Sequence, residues 1–335
     1  MRRPQAISIL LLLLCSASPL AQKPTKDTER AHGETSDLPA VLWRDPGDVS
    51  SLNLIYGAGG RAHAPDPSGT YKFVKEDRDG TNPKFDVTDG AGMPWRVKLG
   101  EESQTETAAT RLLWAAGYFV DEDYYLPEVT ITGLPPLHRG QAFVSPGGKV
   151  HGAGFERRPK DGKKRGNWDW FANPFHETRD ENALQVMMAL LNNWDLKQVN
   201  NSIYDVDGER RYVVSDVGAT FGNTGNYFTR SKSVLPRYEA TKFVEHATPE
   251  FVDFVLHSRP FVLTIFSFRH YREYARMEQL VHHIPRNDAR WLGERLSLLS
   301  DEQLRDCFRA AGYSADKVEG YAKVIRDRIA ALKTL

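Results

Sequence analysis

Cysteine is nearly absent from this chain of 335 residues, which contains only Cys15 and Cys307. A framework of disulfide bonds is therefore excluded. The fold must rest on a hydrophobic core, which this length and a content of 40% hydrophobic residues permit. Cys307 lies in a segment with helical periodicity, so we expect it to be a buried structural thiol and not a reactive one.

An excess of charge is also missing, because 44 Lys and Arg residues balance 44 Asp and Glu residues. Proteins that bind nucleic acid through their overall field are strongly basic, so no nucleic-acid partner is predicted. The sequence has no Walker phosphate loop, no His-Glu-x-x-His zinc motif and no Gly-x-Ser-x-Gly nucleophile turn. These absences exclude the commonest motifs of P-loop nucleotide hydrolases, zinc proteases and serine hydrolases.

Long apolar runs are missing except near the N-terminus, where Ile7–Leu14 follows two arginines. This run is too short to cross a bilayer as a normal helix, and small residues follow it, which is typical of a signal peptide. We predict a signal peptide over residues 1–21, export to the periplasm or the extracellular space, and no transmembrane segment in the mature chain. The alternatives are an uncleaved N-terminal anchor and a lipoprotein modified at Cys15, which the bulky Leu14 disfavours. Residues 22–50 are predicted to form a flexible leader, because their first part is polar and without periodicity.

Short runs with strand character, separated by Asp-Gly turns, predict an antiparallel meander after the leader. Its three strands are expected at Tyr71–Lys75, Lys84–Thr88 and Trp95–Leu99. A helix should follow, with Ser103 and Glu106 as a capping box and Gly117 at its end. Further strands are expected at Glu128–Thr132, Gln141–Val144 and Val150–Glu156.

The composition changes at Arg157–Gly166, a basic segment without apolar residues that is predicted to be a solvated linker or, alternatively, a binder of phosphate or acidic substrates. Thr178 and Glu181 then fit the capping box of a helix. Later helices are expected at Pro249–His257, Arg269–His282, Ala289–Leu298, Asp301–Ala311 and Ala315–Leu332. The predicted fold class is α+β, with an antiparallel-sheet lobe and one helix over residues 51–157 and a mainly helical lobe over residues 158–335.

The segment Trp194–Gly218 carries the residues with the clearest chemistry. Asp195 and Asn200 are five residues apart, and an alternating hairpin with an Asp-Gly turn separates them from Asp216. That hairpin should return Asp216 close to Asn200. Two oxygen ligands placed in this way suit Mg²⁺, and Asp195 remains available to accept a proton from a hydroxyl.

This segment resembles the catalytic machinery of the protein-kinase-like superfamily, in its atypical bacterial or secreted branch. Asp-Leu-Lys-Gln-Val-Asn at 195–200 is similar to the kinase catalytic loop, and Asp-Val-Gly at 216–218 is similar to the metal-binding Asp-Phe-Gly. The resemblance implies Asp195 as the catalytic base and Lys197 as a contact to the transferred phosphate. It implies Asn200 and Asp216 as ligands of Mg²⁺ or Mn²⁺. Asn193-Trp194 replaces the usual His-Arg, which sets the chain apart from ordinary eukaryotic-type kinases.

The first lobe offers partners for this machinery. Lys98 stands on the third meander strand and resembles the kinase lysine that holds the nucleotide phosphates. Glu106 is the first choice for its ion-pair partner, and Glu102 is the second. A glycine cluster with Gly57, Gly59 and Gly60 is a candidate for the loop that covers the phosphates, or simply a turn.

Two functions follow from the resemblance. The first is an Mg-dependent phosphotransferase that moves the terminal phosphate of ATP to a hydroxyl acceptor. The second is an exported, pseudokinase-like binding or scaffold protein without catalysis. An unrelated α+β fold is the third possibility, and it predicts that the residues named above do not meet in one cleft.

Overall fold

The structure is a computed structural model that describes residues 38–158, 162–223, 230–256 and 268–335. The predicted signal peptide and the first part of the leader lie outside these residues. Across the described ranges, no helix combines the length and the apolar character needed to cross a membrane.

A β-sheet forms the first part of the fold. Its strands are β2 (Tyr71–Asp77), β3 (Lys84–Thr88), β4 (Pro94–Leu99), β5 (Asp123–Thr132), β6 (Val144–Ser145) and β7 (Lys149–Arg157). The spatial order is β4-β3-β2-β5-β7-β6, and β4 also pairs with β7, so five of the strands close into a barrel. The predicted meander of β2, β3 and β4 is confirmed. Alternate residues such as Phe85, Val97 and Phe155 are fully buried and fill the barrel interior.

The helix α1 (Glu101–Ala115) follows β4 after Gly100, whose φ of 82° allows the sharp turn. The predicted capping box is wrong: Ser103 donates to the carbonyl of Gly100, and the carboxylate of Glu106 faces Lys98 instead of the helix start. The helix ends before Gly117, as predicted, where φ is 100°. The side chains of α1 pack into the same hydrophobic core as the later helices.

The second part of the fold is mainly helical. It contains α2 (Arg179–Leu191), α3 (Leu235–Ala240), α4 (Phe268–Gln279), α5 (Arg286–Leu296), α6 (Asp301–Ala310) and α7 (Ala315–Lys333). Its strands are β8 (Lys163–Gly166), β9 (Asn201–Val206), β10 (Glu209–Val214), β11 (Val244–Ala247), β12 (Phe251–Phe254) and β13 (Ile284–Pro285). The predicted hairpin is β9 and β10, and Cys307 is fully buried, as expected. The two-lobed α+β architecture is confirmed.

Four local predictions are wrong. The end of the leader is ordered, because β1 (Ala40–Val41) pairs with β10 and the next side chain, Leu42, is 2% exposed. Part of the predicted linker is β8, whose Arg165 pairs with Asp205 on β9. Residues 159–161 of that linker lie outside the described residues.

The other two errors concern secondary-structure type. The middle of the helix predicted at Pro249–His257 is the strand β12, because Phe251–Phe254 alternates in burial and has two aromatic residues and a β-branched one. Most of the strand predicted at Gln141–Val144 is a 3₁₀ turn at Gln141–Phe143.

Candidate active site

The strand β4 and the helix α1 bring Lys98 and Glu106 together. The ammonium nitrogen Nζ of Lys98 lies 2.6 Å from Oε1 of Glu106, and the two residues are only 7% and 3% exposed. The backbone turn at Gly100 allows α1 to fold back over the sheet so that these two side chains meet. Glu106 is therefore the ion-pair partner of Lys98, as the first choice from the sequence predicted.

Two further carboxylates contact Lys98. Oε2 of Glu156 lies 3.5 Å from Nζ, and Oδ1 of Asp216 lies 3.3 Å from it. Burial opposes the charge of Lys98, but the carboxylates of Asp216, Glu106 and Glu156 outweigh burial and hold the pKa of Lys98 well above its usual value. The site therefore surrounds one buried cation with an excess of negative charge.

Asp216 follows β10 in a left-handed backbone conformation with φ 48°, which is uncommon for a residue other than glycine. Lys98 lowers the pKa of Asp216 against the opposing effect of burial, so this carboxylate is ionised at neutral pH. The next residues are fixed, because Val217 is buried in the core and Thr105 of α1 donates a 2.6 Å hydrogen bond to the carbonyl of Gly218.

The segment after α2 positions the predicted catalytic residues. The amide nitrogen Nδ2 of Asn200 donates to the backbone oxygen of Asp195 at 2.7 Å and to its Oδ2 at 3.3 Å. Nζ of Lys197 lies 2.6 Å from Oδ1 of Asp195. The backbone nitrogen of Ser215 donates to the carbonyl of Asn200, which joins this loop to the residue before Asp216. The hairpin thus returns as the sequence predicted.

A divalent cation fits Asn200 and Asp216 on the chemistry of their oxygen atoms. Because Nδ2 of Asn200 is committed to Asp195, its Oδ1 is the atom left for a metal. The side chain of Asp216 is 48% exposed and ionised, and one of its oxygens is held by Lys98. Mg²⁺ binds with few protein oxygen ligands, together with substrate phosphate and water. No cluster of three or more His, Cys, Asp or Glu residues suited to a metal occurs in the described part of the chain.

The other predicted site residues have different contacts. Glu102 forms an ion pair with Lys232 and packs against Gly218, and its contacts do not include Lys98. The loop with Gly57, Gly59 and Gly60 packs against Arg111, Tyr124 and Glu122 instead of Lys98. The structure therefore does not bring the glycine cluster to the Lys98 cleft.

A different turn lies at the Lys98 end of the sheet. Residues 78–83 connect β2 to β3, and the first residue of β3, Lys84, is the cross-strand neighbour of Lys98. The carbonyl of Pro83 accepts a hydrogen bond from the backbone nitrogen of Leu99, directly after Lys98 in the same strand region. This turn, and not the glycine cluster, lies next to Lys98. The sequence signal was its Asp79-Gly80 pair, which was interpreted only as hairpin chemistry.

Glu156 and Lys84 are the site residues that the sequence analysis missed. Glu156 lies near the end of β7, opposite Arg96 in the register with β4, and its carboxylate reaches Lys98 diagonally at 3.5 Å. Lys84 adds a positive charge that contributes to the low pKa of Asp216, after Lys98 itself. The available signal for Glu156 was a carboxylate near the end of a predicted strand.

No protein-family model and no curated protein matches this chain. Among solved structures, a proinflammatory kinase of Helicobacter pylori, CtkA, matches with 11% sequence identity over 80% of this chain and 98% of that chain, with a TM-score of 0.43. A Golgi casein kinase matches with 8% identity over 81% and 73%, with a TM-score of 0.37. An apo pseudokinase matches with 11% identity over 80% and 96%, with a TM-score of 0.22.

No residue role is taken from these likenesses, since they concern the fold alone. In this chain, Lys98 on the strand β4 contacts Glu106 on the helix α1, and the second part of the fold is mainly helical. The hairpin of β9 and β10 connects the loop with Asp195 to the loop with Asp216. With this order of elements, the chain has the two-lobed α+β architecture that the sequence predicted.

Proposed function

We propose that the protein is a metal-dependent phosphotransferase that moves the terminal phosphate of a nucleotide to a hydroxyl acceptor. The observation that carries the proposal is the buried contact of Lys98 with Glu106 at 2.6 Å and with Asp216 at 3.3 Å. This contact joins the sheet, the helix α1 and the loop after β10 at one point. An unrelated α+β fold gives no reason for these three residues to meet.

Lys98 is the group that holds the donor phosphates. Its raised pKa keeps it positive at every physiological pH, and Glu106 fixes its position. A buried ammonium in a low-dielectric cleft interacts strongly with phosphate oxygens. Asn200 and Asp216 would hold the metal, which when bound neutralises charge on the donor phosphates.

Asp195 is the group that receives the proton of the acceptor hydroxyl. As the acceptor oxygen forms its bond to the terminal phosphorus, the bond from that phosphorus to the leaving nucleotide breaks, and the hydroxyl proton passes to the carboxylate. Asn200 holds the backbone and Oδ2 of Asp195, and Lys197 holds Oδ1. Lys197 would contribute its positive charge to the transferred phosphate.

We also propose that this activity takes place outside the cytoplasm, on the basis of the sequence of residues 1–21. Export requires either a compartment that receives nucleotide or a different phosphoryl donor. Fractionation of cells that express the full chain tests this proposal. Recovery of the unprocessed chain in the cytoplasm would contradict it.

ADP formation by the full-length protein, with ATP and Mg²⁺ or Mn²⁺, tests the proposed reaction. Asp195→Asn should retain ATP binding and lose turnover, because the proton acceptor is removed. Asp216→Asn should lose metal-dependent binding, because a carboxylate ligand is removed. ATP binding without turnover in the unsubstituted protein, unchanged by Asp195→Asn, would favour the binding or scaffold function instead.

A further inference from the structure

A second cavity lies behind α1, away from Lys98. Its volume is about 580 Å³, and it is bordered by residues near 55–67, by the start of β5, by α1 and by the end of α6. This volume lies within the range of small-molecule sites in proteins, which is about 300–1,000 Å³. Two arginines that line it, Arg61 and Arg111, come from separate parts of the chain.

Arg111 is the unusual member of this lining. Its side chain is only 2% exposed, and its Nε has no hydrogen-bond partner among the residues that the structure describes. The guanidinium carbon lies 5.3 Å from the ring centre of Tyr124. Burial lowers the pKa of Arg111, and the charge of Asp123 opposes that effect. The buried Oδ2 of Asp123 has no hydrogen-bond partner in the described residues either. A buried guanidinium with an unsatisfied N–H is costly, so this arrangement calls for an acceptor.

The glycine cluster accounts for how Arg111 is buried. A Cβ atom at Gly57 would lie 2.5 Å from Nη1 of Arg111, and one at Gly59 would lie 2.2 Å from the hydroxyl of Tyr124. Only glycine lets the backbone approach both side chains so closely. The glycines that resembled a phosphate loop therefore enclose an arginine at the second cavity.

The rest of the lining supplies aromatic and apolar surface. Tyr56, Tyr124, Tyr125 and three prolines face the cavity, together with the exposed Arg61. The acidic side chain in the lining, Asp66, accepts hydrogen bonds from Ser68 at 2.9 and 2.8 Å. At the mouth, Arg309 is paired with Glu302 and Asp306. Arg61 and Arg111 are thus the two cations that this cavity offers to a ligand.

We propose that this cavity is a second ligand site, which binds a small molecule with an anionic group, carboxylate or phosphate, on an aromatic or apolar body. The planar guanidinium groups of Arg111 and Arg61 suit either anion, because each presents paired N–H donors. The aromatic side chains hold the body of the ligand. Arg111 lies five residues after Glu106 on α1, which is about 140° around the helix, so this site and the Lys98 cleft use different faces of α1.

Titration of the full-length protein with phenyl phosphate, benzoate and phenol, followed by thermal unfolding and calorimetry, tests the proposal. Either or both anions should bind saturably, and phenol should bind at least about tenfold more weakly, since it lacks the charge. Arg61→Gln and Arg111→Gln should each weaken binding of the anion by about tenfold or more. Arg61 is exposed, so its variant remains informative if the Arg111 variant does not fold.

Asp216→Asn separates this site from the proposed activity, because it should leave binding of phenyl phosphate or benzoate unchanged. Four results would overturn the proposal: neither anion binds, phenol binds as well as the anions, binding survives the arginine substitutions, or binding is stronger or weaker in Asp216→Asn. The last result would place the anion in the Lys98 cleft instead.

Discussion

Replacement of Lys98 by Met removes the cation that contacts Glu106, Glu156 and Asp216. Lys98 and Glu106 have side chains that are 8% and 4% exposed, so water cannot replace the lost contact. Loss of one partner of a buried ion pair typically costs about 3–5 kcal/mol, because the other charge stays buried without compensation. We expect Lys98→Met to lower the free energy of unfolding by about this amount at pH 7.5.

The loss should depend on pH in a defined direction. Burial raises the pKa of Glu106, and Lys98 opposes that rise in the unsubstituted protein. Without Lys98, the folded protein takes up a proton on Glu106 at a pH where the unfolded chain does not. The stability of Lys98→Met should therefore increase as the pH falls from neutral towards 4.5, the ordinary pKa of a glutamate. In the unsubstituted protein Lys98 stays charged and opposes the rise in the pKa of Glu106, so the increase in stability over the same range should be smaller.

Urea unfolding of the full-length variants at pH 7.5 and pH 5 measures both effects. The double variant Lys98→Met with Glu106→Gln should recover about 2 kcal/mol relative to the sum of the single losses, because it removes both members of the pair. Lys75→Met is the matched control on β2, since its side chain is 68% exposed and its Nζ lies 3.6 Å from Asp86. Additive single losses, or a loss in Lys98→Met no larger than that of the control, would refute the reasoning.

Three other substitutions test packing and charge near the cleft and around Arg111. Thr105→Val removes the 2.6 Å hydrogen bond to the carbonyl of Gly218, and urea unfolding should show a loss of about 1–2 kcal/mol, with weaker ATP binding; unchanged stability and binding would contradict the anchoring role. Gly57→Ala places a Cβ atom 2.5 Å from Arg111 at a φ of 68°, and urea unfolding should show a loss of about 1–3 kcal/mol; full stability would contradict the close packing. Burial and then Glu156 raise the pKa of Asp121 to about 6, so its ionisation costs stability as the pH rises through that value. Asp121→Asn should therefore raise Tm at pH 7.5 and not at pH 4, and equal shifts at the two pH values would contradict the assignment.

The parts of the site that the sequence predicted depend on local signals. The Asp207-Gly208 turn determines the hairpin of β9 and β10, and that hairpin returns Asp216 towards Asn200. The meander strands alternate in burial, so their existence and approximate ends could be predicted. Lys98 and Glu106 are close in sequence, and the turn between β4 and α1 is enough to join them.

The parts that were missed or wrong depend on contacts between distant segments. Glu156 reaches Lys98 only because β7 closes the barrel against β4, and no local pattern specifies that pairing. The close packing of Gly57 against Arg111 could not be predicted, because Arg111 lies on a helix far along the chain. In both cases, a contact between segments that are distant in sequence determines where the residue lies, and the neighbouring sequence does not indicate that contact.

Thermal unfolding of the full-length protein with ATP, with and without Mg²⁺ or Mn²⁺, tests the central claim most directly. The account predicts a rise in Tm that needs both nucleotide and metal, is retained in Asp195→Asn, and is lost in Asp216→Asn. No shift with any combination of nucleotide and metal, or a shift that Asp216→Asn leaves unchanged, would contradict a nucleotide site built on Lys98 and Asp216.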